Sequence, residues 1–205
     1  MKRALIFLTI AIMLTACVGG PKTVVGIQKI KTSPSFDPAT VNRVAIVDFN
    51  TNEGMKYNPS VIADKFTAEL VGSEIFSLMD RNDIKKIMYE VGFQNKSSLA
   101  GVLNDATLQR LSAMGADSIL TGNLVSLKQS ERNGLILFSE AHLTAKLLKI
   151  ESGEVIWSAE IQKRSKSNKG EDAEPAEVLL ADIIEEMCIP LNSENKVKGL
   201  MKKLF

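Results

Sequence analysis

The sequence predicts an α/β fold (α+β class), a mixed sheet of about five strands in the order β-α-β-α-α-β-β-β-α with helices packed on it. Three observations lead there. Arg43 to Phe49 is a β-branched-rich apolar run closed by the loop-forming stretch Asn50-Thr51-Asn52-Glu53-Gly54. Helix-period apolar sets follow it, and a late stretch reads as three sheet segments with a Gly-containing turn. Early crossovers followed by a meander fit a mixed sheet covered by helices.

Each element has a local reason. Arg43 to Phe49 is expected as a buried central strand. Pro59-Ser60 can open a helix, because Pro suits the first turn, and Ile62, Phe66 and Leu70 share one face. Ile75 to Met79 is a second short strand. Asp80-Arg81-Asn82-Asp83 starts the next helix, with Asp80 or Asn82 as cap and acids near the positive end. Ile84, Ile87, Met88 and Val91 form its core face, and Gly92 ends it. Asp105 to Met114 is a short helix with Leu108, Leu111 and Met114 inward and Gly115 as stop.

In the meander, Asp117 to Lys128 is expected to place Ile119, Thr121, Asn123, Val125 and Leu127 on one face. Ala141 to Ile150 alternates loosely, and Glu151-Ser152-Gly153-Glu154 is a hairpin turn. Val155, Trp157, Ala159 and Ile161 lie on one side of the next strand. Lys163 to Glu174 reads as a hydrophilic loop, and Pro175 to Ile189 as the last helix, stopped by Pro190. There is no internal repeat.

The N-terminus carries a different signal. Lys2 and Arg3 precede Ala4 to Leu14, an uncharged and almost wholly apolar run. It is too short for a bilayer span, which needs about 20 residues, and it has the size of a signal-peptide core. Leu14-Thr15-Ala16-Cys17 follows directly and resembles the lipobox of bacterial lipoproteins. That resemblance implies cleavage before Cys17, acylation of its sulfur, and attachment through acyl chains, of which two anchor far more firmly than one. The rival reading is an ordinary secretory signal with an incidental Cys. Removing residues 1–16 takes away two positive charges and turns the net charge of +1 negative by one. Val18, where an Asp would signal retention, implies export to the outer membrane, periplasmic face, by resemblance to enteric lipoproteins. The expected organisation is a signal peptide at 1–16, lipidated Cys17 and a tether at 17–40, a domain at 41–191 and a basic amphipathic tail at 192–205. The Gly- and Pro-containing stretch 18–40 becomes ordered only towards its end.

Composition excludes several functions. A net charge of +1 offers no field for nucleic acid. One His and two Cys cannot build a His-rich or four-thiolate zinc site. No Gly-x-Gly-x-x-Gly, Walker-type or His-Glu-x-x-His motif is present, so no cofactor or metal is expected. His142 lacks a Gly-x-Ser-x-Gly or other nucleophile context and reads as a structural or exposed side chain. No catalytic residue is assigned, and the chain is expected not to be an enzyme. Cys188 shares a helix face with Leu180, Ile184 and Leu191, which suggests a buried inert thiol; an interchain disulfide is the other reading. Asp48, Arg81 and Asp117 stand at strand and helix ends, as local ion pairs and caps or as a polar cleft for a partner. The loop Asn50 to Asn58 follows a central strand's carboxyl end, where α/β folds often bind. In the tail, Val197, Leu200, Met201, Leu204 and Phe205 alternate with lysines, a pattern that docks on its own domain, lipid or a partner.

The ordered matches point to a family. Val44-Ala45-Ile46-Val47-Asp48-Phe49, Phe66-Thr67-Ala68-Glu69-Leu70, Asp80-Arg81-Asn82-Asp83-Ile84, Met114-Gly115-Ala116-Asp117 running to Thr121-Gly122, and Ser152-Gly153-Glu154-Val155-Ile156-Trp157 resemble the curli-secretion (CsgG-like) lipoprotein domain in order and spacing. The wider group includes penicillin-binding-protein activator (LpoB-like) lipoproteins. The curli pore crosses the outer membrane on two long amphipathic hairpins. Here the corresponding stretches, Lys128 to Glu140 and Lys163 to Glu174, are largely polar, so membrane-spanning hairpins are not expected. The resemblance implies a non-enzymatic, lipid-anchored periplasmic binding or assembly protein, an accessory in export or envelope assembly. Its alternatives are an activator of a peptidoglycan synthase and a subunit of a curli-type secretion ring. The implied partners are the outer membrane, through acyl chains on Cys17, and envelope proteins; homo-oligomerisation stays open, and no nucleic acid is implied.

Overall fold

A computed structural model of the chain describes residues 22–37, 40–52, 55–73, 75–90, 105–168 and 170–192. The signal peptide 1–16, Cys17, the helix-ending Gly92 and the tail from 193 onward lie outside them. The described elements are β1 (Lys22–Thr32), β2 (Arg43–Ile46), β3 (Asn50–Thr51), α1 (Pro59–Leu70), β4 (Ser77–Leu78), α2 (Arg81–Glu90), α3 (Asp105–Ala113), β5 (Ser118–Arg132), β6 (Leu135–Lys149), β7 (Val155–Lys166) and α4 (Ala176–Asn192). The α+β class and the mixed sheet are as the sequence predicts.

The sheet has seven strands in the order β1-β7-β6-β5-β2-β4, with β3 pairing on β5. Strand β2 is parallel to both β4 and β5, and the meander β5-β6-β7-β1 is antiparallel. Strand β2 is buried on both faces, as its unbroken apolar run requires. Val44 and Ile46 join the main core with α1 and α4. Ala45 joins a second core with α2 and α3, and Val47 just beyond the strand does the same.

The helix signals read from the sequence are in place. Ile62, Phe66 and Leu70 of α1 are fully buried, and Asn58 caps that helix by accepting from the Ser60 amide at 3.0 Å. Asp80 is the cap of α2, accepting from the amides of Asn82 and Asp83 at 2.8 and 3.3 Å. Gly115, at φ +91°, stops α3, and the Ala116 amide bonds the Leu111 carbonyl at 3.0 Å.

Several expectations are corrected. The middle of the expected tether, Lys22–Thr32, is an edge strand that pairs with β7 along its length. Only Ile27, Ile30 and Thr32 of β1 are even half-buried, so the strand carries almost no apolar alternation. The central run enters the sheet only as far as Ile46, although Val47 and Phe49 stay buried. Likewise, Ile75 to Met79 forms only two strand residues. Met114 is exposed rather than inward, and Val155 is exposed while Trp157, Ala159 and Ile161 are buried.

Strands β5 and β6 run 15 residues each, straight through the stretch expected to separate them. They turn at Asn133-Gly134, both at positive φ, the geometry of a tight hairpin turn. A bulge between Leu124 and Ser126 resets the alternation of β5. Leu127 therefore packs on the main core with Leu120 and Leu124, while Ile119 faces the second core. Strand β7 continues to Lys166, into the expected loop. Helix α4 runs through Pro190 to Asn192. In the last turn Pro190 forgoes one bond, and the Ser73 hydroxyl secures the end by donating to the Leu191 carbonyl at 2.8 Å.

Candidate functional site

Two of the three charged residues singled out by sequence meet at the carboxyl end of the parallel strands. The Arg81 guanidinium donates to Asp48 at 2.5 Å, to Asp64 at 3.1 Å and to the Ile46 carbonyl at 2.5 Å. The Ser60 hydroxyl donates to the second Asp48 oxygen at 3.0 Å. Arg81 is nearly buried, whereas both carboxylates remain partly exposed. The cluster staples β2, α1 and α2 together and engages all three guanidinium nitrogens of Arg81. Asp117 sits at the opposite end of these strands, accepting from the amides of Asn42 and Arg43 at 2.7 and 3.1 Å. The three do not form one cleft; local pairing and backbone capping account for them.

The described part of the loop after β2 is also fastened. Asn50–Thr51 pairs with β5, and the Asn52 side chain donates to the Val125 carbonyl at 2.8 Å. Tyr57 beyond it is partly buried; burial first, and then the charge of Glu177, push its phenol above the usual pKa.

A more open surface lies on the meander. Helices α1 and α4 cover one face of the sheet, and α2 and α3 cover the other face over β2 and the start of β5. The remainder of that second face holds a groove of about 590 Å³ whose lining includes Lys29, Lys31, Thr144, Lys146 and Glu160. Glu160 pairs with Lys29 at 3.7 Å and with His142 Nε2 at 3.2 Å. Next along the same face, Glu140 accepts from Arg164 at 2.6 Å and from the Ser126 hydroxyl at 2.8 Å. Burial raises the Glu140 pKa, but the two hydrogen bonds and the charges of Arg164 and Lys128 outweigh it and hold the carboxyl below its ordinary value.

His142 is thus a half-buried partner of a carboxylate on a sheet face. Apart from Asn50, the first residue of the loop singled out from the sequence, the groove residues were not singled out. Their signal was the polar phase of the alternation, Thr144 and Lys146 opposite Leu143, Ala145 and Leu147, with Ser158 and Glu160 facing them from β7.

Beneath α4, Lys163 is buried and meets Glu186 at 2.7 Å and Asp182 at 3.8 Å. Cys188 is fully buried in the main core, and burial followed by the nearby charge of Glu69 pushes its thiol pKa far up, the environment of an inert side chain. Among the described residues, no group of three or more His, Cys, Asp or Glu could hold a metal, and no helix is long and apolar enough to cross a membrane. Cys17, the expected lipidation site, lies outside the described residues.

Comparison with known proteins places this architecture. The family model of the peptidoglycan-synthase activator LpoB matches residues 34–162, from just before β2 to within β7. The chain belongs to the LpoB family. Two solved structures share the fold of this LpoB-family chain, both PelC dodecamers from Paraburkholderia phytofirmans. One is 14% identical over 83% of this chain and 100% of its own, with a TM-score of 0.57. The other is 12% identical over 84% and 99%, with a TM-score of 0.53. The C-terminal domain of LpoB from Escherichia coli is 16% identical over 63% of this chain and 87% of its own, at a TM-score of 0.45. No curated protein matches. The family is thus one of the two groups raised by resemblance, and the narrower curli-secretion reading has the sequence resemblance alone behind it.

Proposed function

We propose that this protein is a non-catalytic activator of a peptidoglycan synthase, anchored in the outer membrane by acylated Cys17 and facing the periplasm. Membership of the LpoB family over 34–162 carries the reading. A binding role is supported by the open sheet face, which is polar and holds a groove lined in part by Lys29, Lys31 and Lys146.

The anchor limits where the partner must be. Cys17 stands five positions before Lys22, the first residue of β1. Five residues span at most ~18 Å. The 15-residue strands make the domain itself about 50 Å long. A synthase contacted by this domain must therefore extend to within roughly 70 Å of the outer membrane. Titrating the acylated protein, in detergent, into glycan-polymerisation assays of the bifunctional synthases of its own bacterium tests the reading. The expected result is a several-fold faster rate that saturates with a measurable Kd. Neither binding nor acceleration at tens of micromolar would remove it.

The short reach also favours a second reading, a homo-oligomeric assembly component held against the membrane, with the export-accessory role as one form of it. A domain on so short a leash meets its neighbours in the membrane plane. The PelC proteins of the same fold are dodecamers. Light scattering of the acylated protein with detergent correction separates the two, a monomer favouring the first and a discrete ring the second.

A further inference from the structure

Two surfaces on opposite sides of the sheet are each incomplete, and each supplies what the other lacks. Helix α4 carries Glu177, Asp182, Glu185 and Glu186 and no Lys, Arg or His. Glu186 and Asp182 lean towards the buried Lys163. Glu177 and Glu185 are exposed, with no cation at ion-pairing distance among the described residues. Val178 and Ile189 are 45% and 38% exposed. Val178, Asp182, Glu185 and Ile189 follow one another at four, three and four residues, which places them on one outward face. On that face Val178 and Ile189 stand exposed at either end with Asp182 and Glu185 between them, and Asp182 alone reaches a cation among the described residues, Lys163 at 3.8 Å.

The groove on the other side of the sheet has the complementary character. Thr121, Asn123, Thr144 and Ser158 line it together with Lys29, Lys31 and Lys146. Lys29 is engaged by Glu160. Lys31 and Lys146 have no carboxylate at ion-pairing distance among the described residues. A groove that carries unpaired cations is complementary in charge to a helix face that carries unpaired acids.

We infer that these are the two halves of one self-association surface, in which the Lys31/Lys146 groove of one copy receives the Glu177/Glu185 face of α4 of a second copy. An anionic polymer in the groove would account for the lysines but would leave Val178 and Ile189 in water. A second copy accounts for both surfaces with one contact. Because they lie on opposite faces of the sheet, the contact is head-to-tail, and it either closes into a ring or propagates. The inference deepens the oligomeric reading above and rests on it.

The test is a charge exchange in the full acylated protein, followed by sedimentation velocity in detergent at low salt. The wild type is expected to associate with concentration, and more weakly as salt is raised. K31E/K146E, which turns the groove acidic, and E177K/E185K, which turns the helix basic, should each associate at least tenfold more weakly alone. Mixed in equal amounts they should recover association, since each then meets an opposite charge in both directions. The recovery requires both variants to be folded, so it also controls for damage. A monomeric wild type overturns both this inference and the oligomeric reading. An oligomer that neither variant weakens, or that mixing fails to restore, overturns the assigned surface and leaves the oligomeric reading standing.

Discussion

The Arg81 guanidinium lies 2.5 Å from Asp48 Oδ1 while it also holds Asp64 and the Ile46 carbonyl, so one side chain closes the carboxyl end of β2 against two helices. Removing one partner of a buried pair costs about 3–5 kcal/mol. Here the carboxylates are 40% and 53% exposed and can be rehydrated, so Arg81→Met should cost less, about 2–3 kcal/mol. Arg81→Lys should recover little, because an ammonium cannot span two carboxylates and a carbonyl as a planar fork does. Urea titrations measure both; a loss under about 0.5 kcal/mol for the Met variant would mean that the cluster is ornamental.

How much of this was legible depends on what each element buries. The helices and β2 announce themselves because each buries a complete apolar face, as Ile62, Phe66 and Leu70 do. Gly115, Gly153 and Asp80 mark boundaries through local chemistry, and they are where expected. Strand β1 was illegible because it lies at the sheet edge with most side chains in water, held mainly by the ladder to β7. The distal part of β5, Lys128 to Arg132, was illegible because its side chains also stand in water. The groove escaped notice because its lysines come from two strands, β1 and β6, brought to one face only by the sheet order.

That edge strand can be tested directly. If Lys22–Thr32 pairs with β7, its ladder amides should exchange with deuterium at least 100-fold more slowly than in an unstructured peptide. The protection should decline towards Lys22, where the strand begins. Exchange at peptide rates throughout would restore the reading of these residues as tether.

Gly122 is required by close approach and not by backbone angle. A Cβ there would stand 2.0 Å from the Thr144 carbonyl oxygen and 2.6 Å from the Phe49 ring. The carbonyl belongs to the β6 ladder, and Phe49 is stacked on Phe66 with centroids 4.9 Å apart, so neither neighbour can easily yield. Gly122→Ala should cost at least about 3 kcal/mol, the upper range for overpacking. Gly134→Ala, at φ +77° with open space around it, should cost only about 1–2 kcal/mol of left-handed strain. Thermal melts of the two variants give the comparison, and equal losses would contradict it.

The Glu140 carboxylate should give the protein a specific acid sensitivity. Burial raises its folded pKa, but the bonds from Arg164 and Ser126 and the charges of Arg164 and Lys128 outweigh it and hold the carboxyl below its ordinary 4.5. A depressed acid binds its proton more tightly in the unfolded chain, so the stabilisation is complete above the unfolded value and fades as pH falls below 4.5 through the lower folded value. Glu140→Gln keeps the shape and the Ser126 bond but removes the charge that Arg164 meets. It should lower stability by about 1–2 kcal/mol at pH 7, the worth of a charge-assisted bond whose Arg partner is half-exposed. The difference between the variant and the wild type should then shrink as the pH is taken from 6 towards 3. Denaturant midpoints across that range read it, and a pH-independent difference would mean that the loss comes from packing and not from the charge.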